Sequence, residues 1–158
     1  RLFRKTRTTV GRCLITMPLT NDKDIADVLR SVKTIALLGA SHKPQRPSYQ
    51  VMAFLLEHGY TVIPVNPTLA GTQLQGQLVY SSLEAIPQSI DMVDVFRNAS
   101  FLPAIVEKTL QKAIGIIWTQ LDVVDEAAGV HAENNGVKII MDRCPAIEWP
   151  RLRQLGLL

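Results

Sequence analysis

Apolar positions along this chain follow two alternating rhythms. Short continuous runs such as Ile35-Ala36-Leu37-Leu38 alternate with stretches where apolar residues recur every three or four positions. The first helical stretch is "TNDKDIADVLRSV". Thr20 or Asn21 can cap it, acids fill its first turn, and Ile25, Val28 and Leu29 form its stripe. A strand is expected over 34–39. A helix then follows Pro47, carries Val51, Phe54 and Leu55 on one face, and closes at Gly59. "YTVIPV" (60–65) reads as a second strand and leads into a long loop through Gly71 and Gly76. "SLEAI" reads as a short helix in which Ser81 and Glu84 make a capping-box pattern.

The alternation continues. "DMVDVF" (91–96) is the third strand, and Ser100 is the expected cap of a helix carrying Leu102, Ile105, Val106 and Leu110. "GIIWTQ" (115–120) is the fourth strand, and a helix over 123–134 stops at Asn135-Gly136. "VKIIM" (137–141) is the fifth. Apolar strands separated by amphipathic helices with short connections predict a parallel sheet covered on both faces. With right-handed crossovers this is an α/β fold, a Rossmann-like doubly wound sheet of about five strands in a single domain.

Composition changes this picture at one end only. The 158 residues are 47% hydrophobic and 20% charged, without repeats or low-complexity tracts. The net charge of +3 comes from residues 1–16, where Arg1, Arg4, Lys5, Arg7 and Arg12 stand with no acid. Across the rest, 12 basic residues face 14 acidic ones, a balance that gives no reason to expect nucleic-acid binding. The expected layout is a disordered or non-native leader (1–16), a domain over 17–152 and a C-terminal tail (153–158). A targeting role for the leader is the less favoured reading. No apolar run reaches membrane-spanning length. Cys13 and Cys144 form no disulfide framework, which fits a reducing cytoplasm. His42, His58 and His131 lack the spacing of a zinc site.

In a doubly wound sheet, ligands bind outside the carboxyl ends of the strands. The residues just past each strand are therefore the candidates. The first strand offers Gly39, Ala40, Ser41, His42, Lys43, Arg46, Ser48 and Tyr49, a cationic loop entering a helix. That arrangement suits a phosphate-bearing ligand, although the two further glycines of a dinucleotide fingerprint are absent. Ser48 is also the expected cap of this helix. The second strand ends at Val65, Asn66 and Pro67, without the acid that an NAD site places there for the ribose hydroxyls. Phe96 ends the third strand and Arg97 follows it, while Trp118 and Gln120 end the fourth; aromatics at such strand ends are more often core than pocket. Asp142-Arg143-Cys144-Pro145 suggests thiol chemistry, but no histidine is placed to act as its base.

"LLGAS…RPSY", "VIPVNP…AGTQLQG", "VDMVDVFRN", "WTQLDV" and "MDRCPAIEWPRL" occur in an order that resembles the stand-alone bacterial and archaeal CoA-binding domain proteins. These in turn are similar to the N-terminal CoA-binding domain of the succinyl-CoA synthetase alpha subunit. The resemblance covers about residues 20–152. It implies coenzyme A or an acyl-CoA as ligand, with phosphates at Ala40, Ser41, Arg46, Ser48 and Tyr49. It also implies an adenosine end near Val65, Asn66 and Pro67, and a remaining wall of Phe96, Arg97, Trp118 and Gln120. Thr68 stands where a lysine is usual, and Asp122 where a glycine is usual. The expected function is CoA binding without catalysis of its own. The alternatives are an acyl-CoA ligase component acting with a partner subunit, an NAD(P)-binding enzyme, or an interaction module that has lost its ligand.

Overall fold

The computed structural model describes residues 21–158. The expected leader, with Cys13, lies outside the described residues. Helix α1 (Asp22–Ser31) starts on Asn21, whose side chain accepts the Lys23 N–H at 2.8 Å. Strand β1 (Thr34–Leu38) follows, then α2 (Pro47–Glu57) and β2 (Thr61–Val65). The long loop that comes next contains a small antiparallel pair, β3 (Gln73–Leu74) and β4 (Gln77–Leu78), which was not expected. Each of its strands has two residues, too few for periodicity to register.

β5 (Met92–Val95), α3 (Leu102–Gln111), β6 (Ile116–Thr119), α4 (Glu126–Asn134) and β7 (Lys138–Ile140) complete the alternation. A further helix, α5 (Pro145–Gln154), has no counterpart in the periodicity reading. Its sequence "PAIEWPRLRQ" carries an internal Pro150 and buries only Pro145, Glu148 and Leu152, a stripe too sparse to stand out. Residues 153–158, read as a tail, finish α5 and turn back so that Leu157 and Leu158 pack against the core.

All five strands of the main sheet are parallel, in the order β2-β1-β5-β6-β7. Pro64 sits within β2 because β2 is an edge strand, where a missing N–H breaks no ladder. One face of the sheet (Ile35, Leu37, Met92, Trp118, Ile140) packs against α1, α2 and α5. The other (Ala36, Leu38, Val93, Val95, Ile117, Ile139) packs against α3 and α4. The α1 stripe of Ile25, Val28 and Leu29 is at most 3% exposed, and each such side chain contributes about 1.5–3 kcal/mol of burial. The result is a doubly wound α/β sandwich.

Three expected caps are corrected. Ser100 does not cap α3: Asn98 accepts the Ser100 N–H at 2.9 Å and starts a 3-10 turn (Ala99–Phe101) that runs into the helix. Ser48 does not cap α2 either. It lies one residue inside the helix and is buried, while Arg46 holds the cap position without a side-chain bond. "SLEAI" forms only a 3-10 turn (Leu83–Ala85), entered at Ser82 with no side-chain cap.

Candidate functional site

Strand order reverses between β1 and β5, which are neighbours in the sheet but lie more than fifty residues apart in the chain. Backbone bonds fix the carboxyl end of β1 on both sides. The Phe96 N–H donates to the Leu38 carbonyl at 2.9 Å and ties it to β5, and the Gly39 and Ala40 N–H groups both donate to the Val65 carbonyl at the end of β2, at 3.1 and 3.2 Å. Gly39 adopts φ +85°, and a Cβ there would lie 2.7 Å from the Phe96 carbonyl oxygen. Only glycine meets both conditions.

A cleft opens on each side of this junction. The first, of about 190 Å³, is lined by Gly39, Val65 and Pro67 on one side and by Arg97, Phe101 and Lys108 on the other. The Arg97 guanidinium lies 4.0 Å from the centre of the Phe101 ring, a cation–π contact that fixes its direction. Lys108 pairs with Glu84, whose carboxyl is held below its usual range chiefly by that hydrogen bond. Arg97 is therefore the cation in this cleft without an acidic partner among the described residues.

The second cleft, of about 710 Å³, lies between the first turns of α2 and α5 and the loop after β6. Phe96, Gln120 and Cys144 line it together with Val51, Phe54 and Ile147. Loop 40–46 runs from the wall of one cleft to the wall of the other, and the Phe96-Arg97 peptide contributes one side chain to each.

The fourteen candidate residues occupy distinct places. Gly39, Val65, Pro67 and Arg97 meet in the first cleft, and Phe96 and Gln120 in the second. Ser41, Lys43, Arg46 and Tyr49 lie on or beside the connecting loop, with Lys43 and Arg46 exposed and Ser48 buried at its helical end. Ser41 Oγ accepts the Lys43 N–H at 3.1 Å, so the Ser41 side chain shapes the turn. The Ser41 and His42 N–H groups donate to no acceptor among the described residues, whereas that of Ala40 is engaged by Val65.

Asn66 acts as a clamp. Its Nδ2 donates to the Ala40 carbonyl at 2.7 Å, and its Oδ1 accepts from both the N–H and the hydroxyl of Thr68. Trp118 lines neither cleft. It is fully buried, and its indole N–H donates to the Arg143 carbonyl at 2.7 Å, which supports the second cleft from behind.

Some residues around the site carry no signal in a list of strand ends. Phe101, Lys108 and Glu84 reach the first cleft from helical turns. Asp94, within β5, is fully buried with both carboxyl oxygens unpartnered among the described residues, and burial raises its pKa well above the usual aspartate value. A sequence signal existed here, since Asp94 interrupts the otherwise apolar run "MVDVF". Its register partner on β6 is Trp118, and Gln120, two residues further on, holds the other buried oxygen without a partner. Asp122 adopts φ +69° and Asp142 φ +62°, and the Asp122 N–H donates to Asp142 Oδ1 at 2.7 Å. The preference for glycine at 122 thus has a backbone cause, which aspartate tolerates better than most residues.

Among the described residues no group of His, Cys, Asp and Glu side chains could hold a metal ion, and no helix is long and apolar enough to cross a membrane. The sequence model of a family described as "CoA binding domain" matches residues 33–150, from the start of β1 into α5. The chain belongs to this CoA-binding domain family. It is 36% identical to the uncharacterized protein YneT of Bacillus subtilis (strain 168), over 77% of this chain and 88% of that protein. It is 33% identical to the alpha subunit of an ADP-forming acetate–CoA ligase of Pyrococcus furiosus, over 58% of this chain but only 21% of the ligase subunit. A solved structure of a hypothetical protein from Pyrococcus horikoshii OT3 superposes with a TM-score of 0.80 at 37% identity, covering 86% of this chain and 96% of that one. This CoA-binding domain therefore matches some relatives along nearly their whole length and a ligase subunit along about a fifth of it.

Proposed function

We propose that this protein binds coenzyme A or an acyl-CoA across the β1/β5 junction. The adenosine end lies in the first cleft with Val65, Pro67 and Arg97. The phosphates lie along the loop near Ser41, Lys43, Arg46, Ser48 and Tyr49, and the pantetheine arm enters the second cleft past Phe96 and Gln120. One observation carries this reading: a cationic loop, whose Ser41 and His42 N–H groups are unengaged among the described residues, joins two clefts on opposite sides of the strand-order reversal. A ligand with a purine at one end, phosphates in the middle and a weakly polar arm at the other matches that sequence of surfaces.

The fit also bears on the alternatives. Asn66 stands where an NAD site has its acid, and its side chain is engaged with Ala40 and Thr68. Gln120, which lines the second cleft, has a buried side-chain oxygen with no partner among the described residues, and a ligand in the cleft would supply one. The free, buried Cys144 suits a reducing compartment, which we take to be the cytoplasm. Similarity to the ligase subunit supports a second reading, in which the chain contributes to acyl-CoA formation with a partner subunit. That reading requires a second subunit to co-purify at fixed stoichiometry.

Calorimetric titration with CoA and with NAD tests the main reading. CoA is expected to bind more tightly. Arg46→Ala is expected to weaken it by about 1.5–3 kcal/mol, the range for a hydrogen bond to a charged group, with a smaller loss at high salt. Equal or tighter binding of NAD would overturn the assignment.

A further inference from the structure

We infer that the second cleft also receives the acyl group of an acyl-CoA, and that it selects uncharged apolar acyl groups over those ending in a carboxylate. The inference rests on the coenzyme A reading above and narrows it to a ligand class. Three features of the cleft carry it.

The walls are largely aliphatic and aromatic, with Val51, Phe54, Phe96 and Val123 among them, and the volume of about 710 Å³ lies in the range of sites that enclose a whole small molecule. At the mouth, Leu121 and Ile147 remain 50% and 52% exposed. Large apolar side chains left open to water at the rim of an apolar cleft mark a surface that gains by being covered. Because the rim is continuous with the cleft assigned to the pantetheine arm, an acyl chain on the thiol is the occupant that reaches it.

Charge supplies the selection. Asp122 is the sole charged residue lining the cleft among the described residues, and no lysine or arginine shares its walls. An acyl group ending in a carboxylate would bring a second negative charge near the exposed Asp122 and would lose water against the apolar walls, with no cation lining the cleft to offset either cost. An apolar acyl group meets no such repulsion. The floor is neutral as well, formed by the Gln120 amide and the buried Cys144.

Titration of the full chain with CoA, acetyl-CoA, butyryl-CoA and succinyl-CoA tests this directly, since butyryl and succinyl groups have the same number of carbons. Each buried methylene contributes roughly fourfold in affinity, so butyryl-CoA, with two more, is expected to bind about fifteenfold more tightly than acetyl-CoA. Succinyl-CoA is expected to bind at least about tenfold more weakly than butyryl-CoA, on the same scale of effect. Asp122→Asn keeps a side chain suited to positive φ and should narrow the succinyl deficit several-fold. Ile147→Asp places an acid in the first turn of α5, where the helix dipole favours it, so folding should survive. In that variant the ratio of butyryl-CoA to CoA affinity should fall to within about twofold.

The outcomes separate the two claims. If CoA fails to bind, the coenzyme A reading falls. If CoA binds but butyryl-CoA and succinyl-CoA differ by less than about twofold, or both match CoA, only the acyl-site inference is overturned. A change of oligomeric state in Ile147→Asp with acyl discrimination intact would likewise overturn it, and would assign the apolar rim to contact between copies of the chain.

Discussion

Replacing Gly39 with alanine should damage this fold more than the same change at any other described left-handed glycine. Gly39 has φ +85°, and an added Cβ would lie 2.7 Å from the carbonyl oxygen and 3.0 Å from the carbonyl carbon of Phe96. Gly59, after α2, has nearly the same dihedral, φ +88°, but its Cβ would meet nothing within 4 Å. Gly59→Ala therefore measures the backbone cost alone. That cost is roughly 1–2 kcal/mol of left-handed strain, reduced by about 0.4–1 kcal/mol because alanine restricts the unfolded chain. Gly39→Ala adds the steric conflict. Phe96 cannot easily retreat, because its N–H, on the preceding peptide, is bonded to the Leu38 carbonyl at 2.9 Å beside the β1–β5 ladder. Forcing it aside should cost a further 1–3 kcal/mol, roughly that of overpacking a core.

Urea unfolding of both variants, with m-values checked for constancy, reads the difference directly. Because Phe96 faces one cleft and Arg97 the other, Gly39→Ala should also weaken CoA binding, while Gly59→Ala should not. Equal stability losses in the two variants, within about 0.5 kcal/mol, would refute the close-approach argument and leave only the dihedral.

Two further substitutions test the buried polar framework. Burial holds the Asp94 carboxyl well above its usual pKa, so the native state keeps its proton more tightly than the unfolded chain does. Stability from this group is complete below the usual aspartate range. It declines by about 1.4 kcal/mol per pH unit as pH rises towards the native pKa. Asp94→Asn lacks that slope, so urea midpoints of the two proteins measured from pH 4.5 to 6.5 should diverge; parallel curves would show that Asp94 ionises freely. Trp118→Phe removes the donor to the Arg143 carbonyl and leaves a void in a fully buried site, which should cost about 2–4 kcal/mol in the same assay. A loss under 1 kcal/mol would mean that the loop after β7 finds another donor.

What the sequence determined by itself is the part governed by local periodicity. The runs at 35–38, 92–95 (broken by Asp94) and 116–118 read as strands buried on both faces, and the amphipathic stretches between them as helices that cover a parallel sheet. That Gly39 ends the first strand and that no acid follows the second were legible for the same reason. Each depends on neighbours in the chain.

The tertiary structure decided what depends on distant partners. Whether Ser48, Ser100 or Ser81 caps a helix turns on backbone angles and competing acceptors, and Asn98 or a buried environment prevailed over the local pattern. Helix α5 is held by Asp22, Arg151, Glu148 and Arg143, a network that spans more than 120 residues and leaves no periodic trace. Placing Phe96 in one cleft and Arg97 in the other required β1 and β5 to be neighbours. Adjacency across a strand-order reversal is set by packing of the whole sheet, so no window of sequence could contain it.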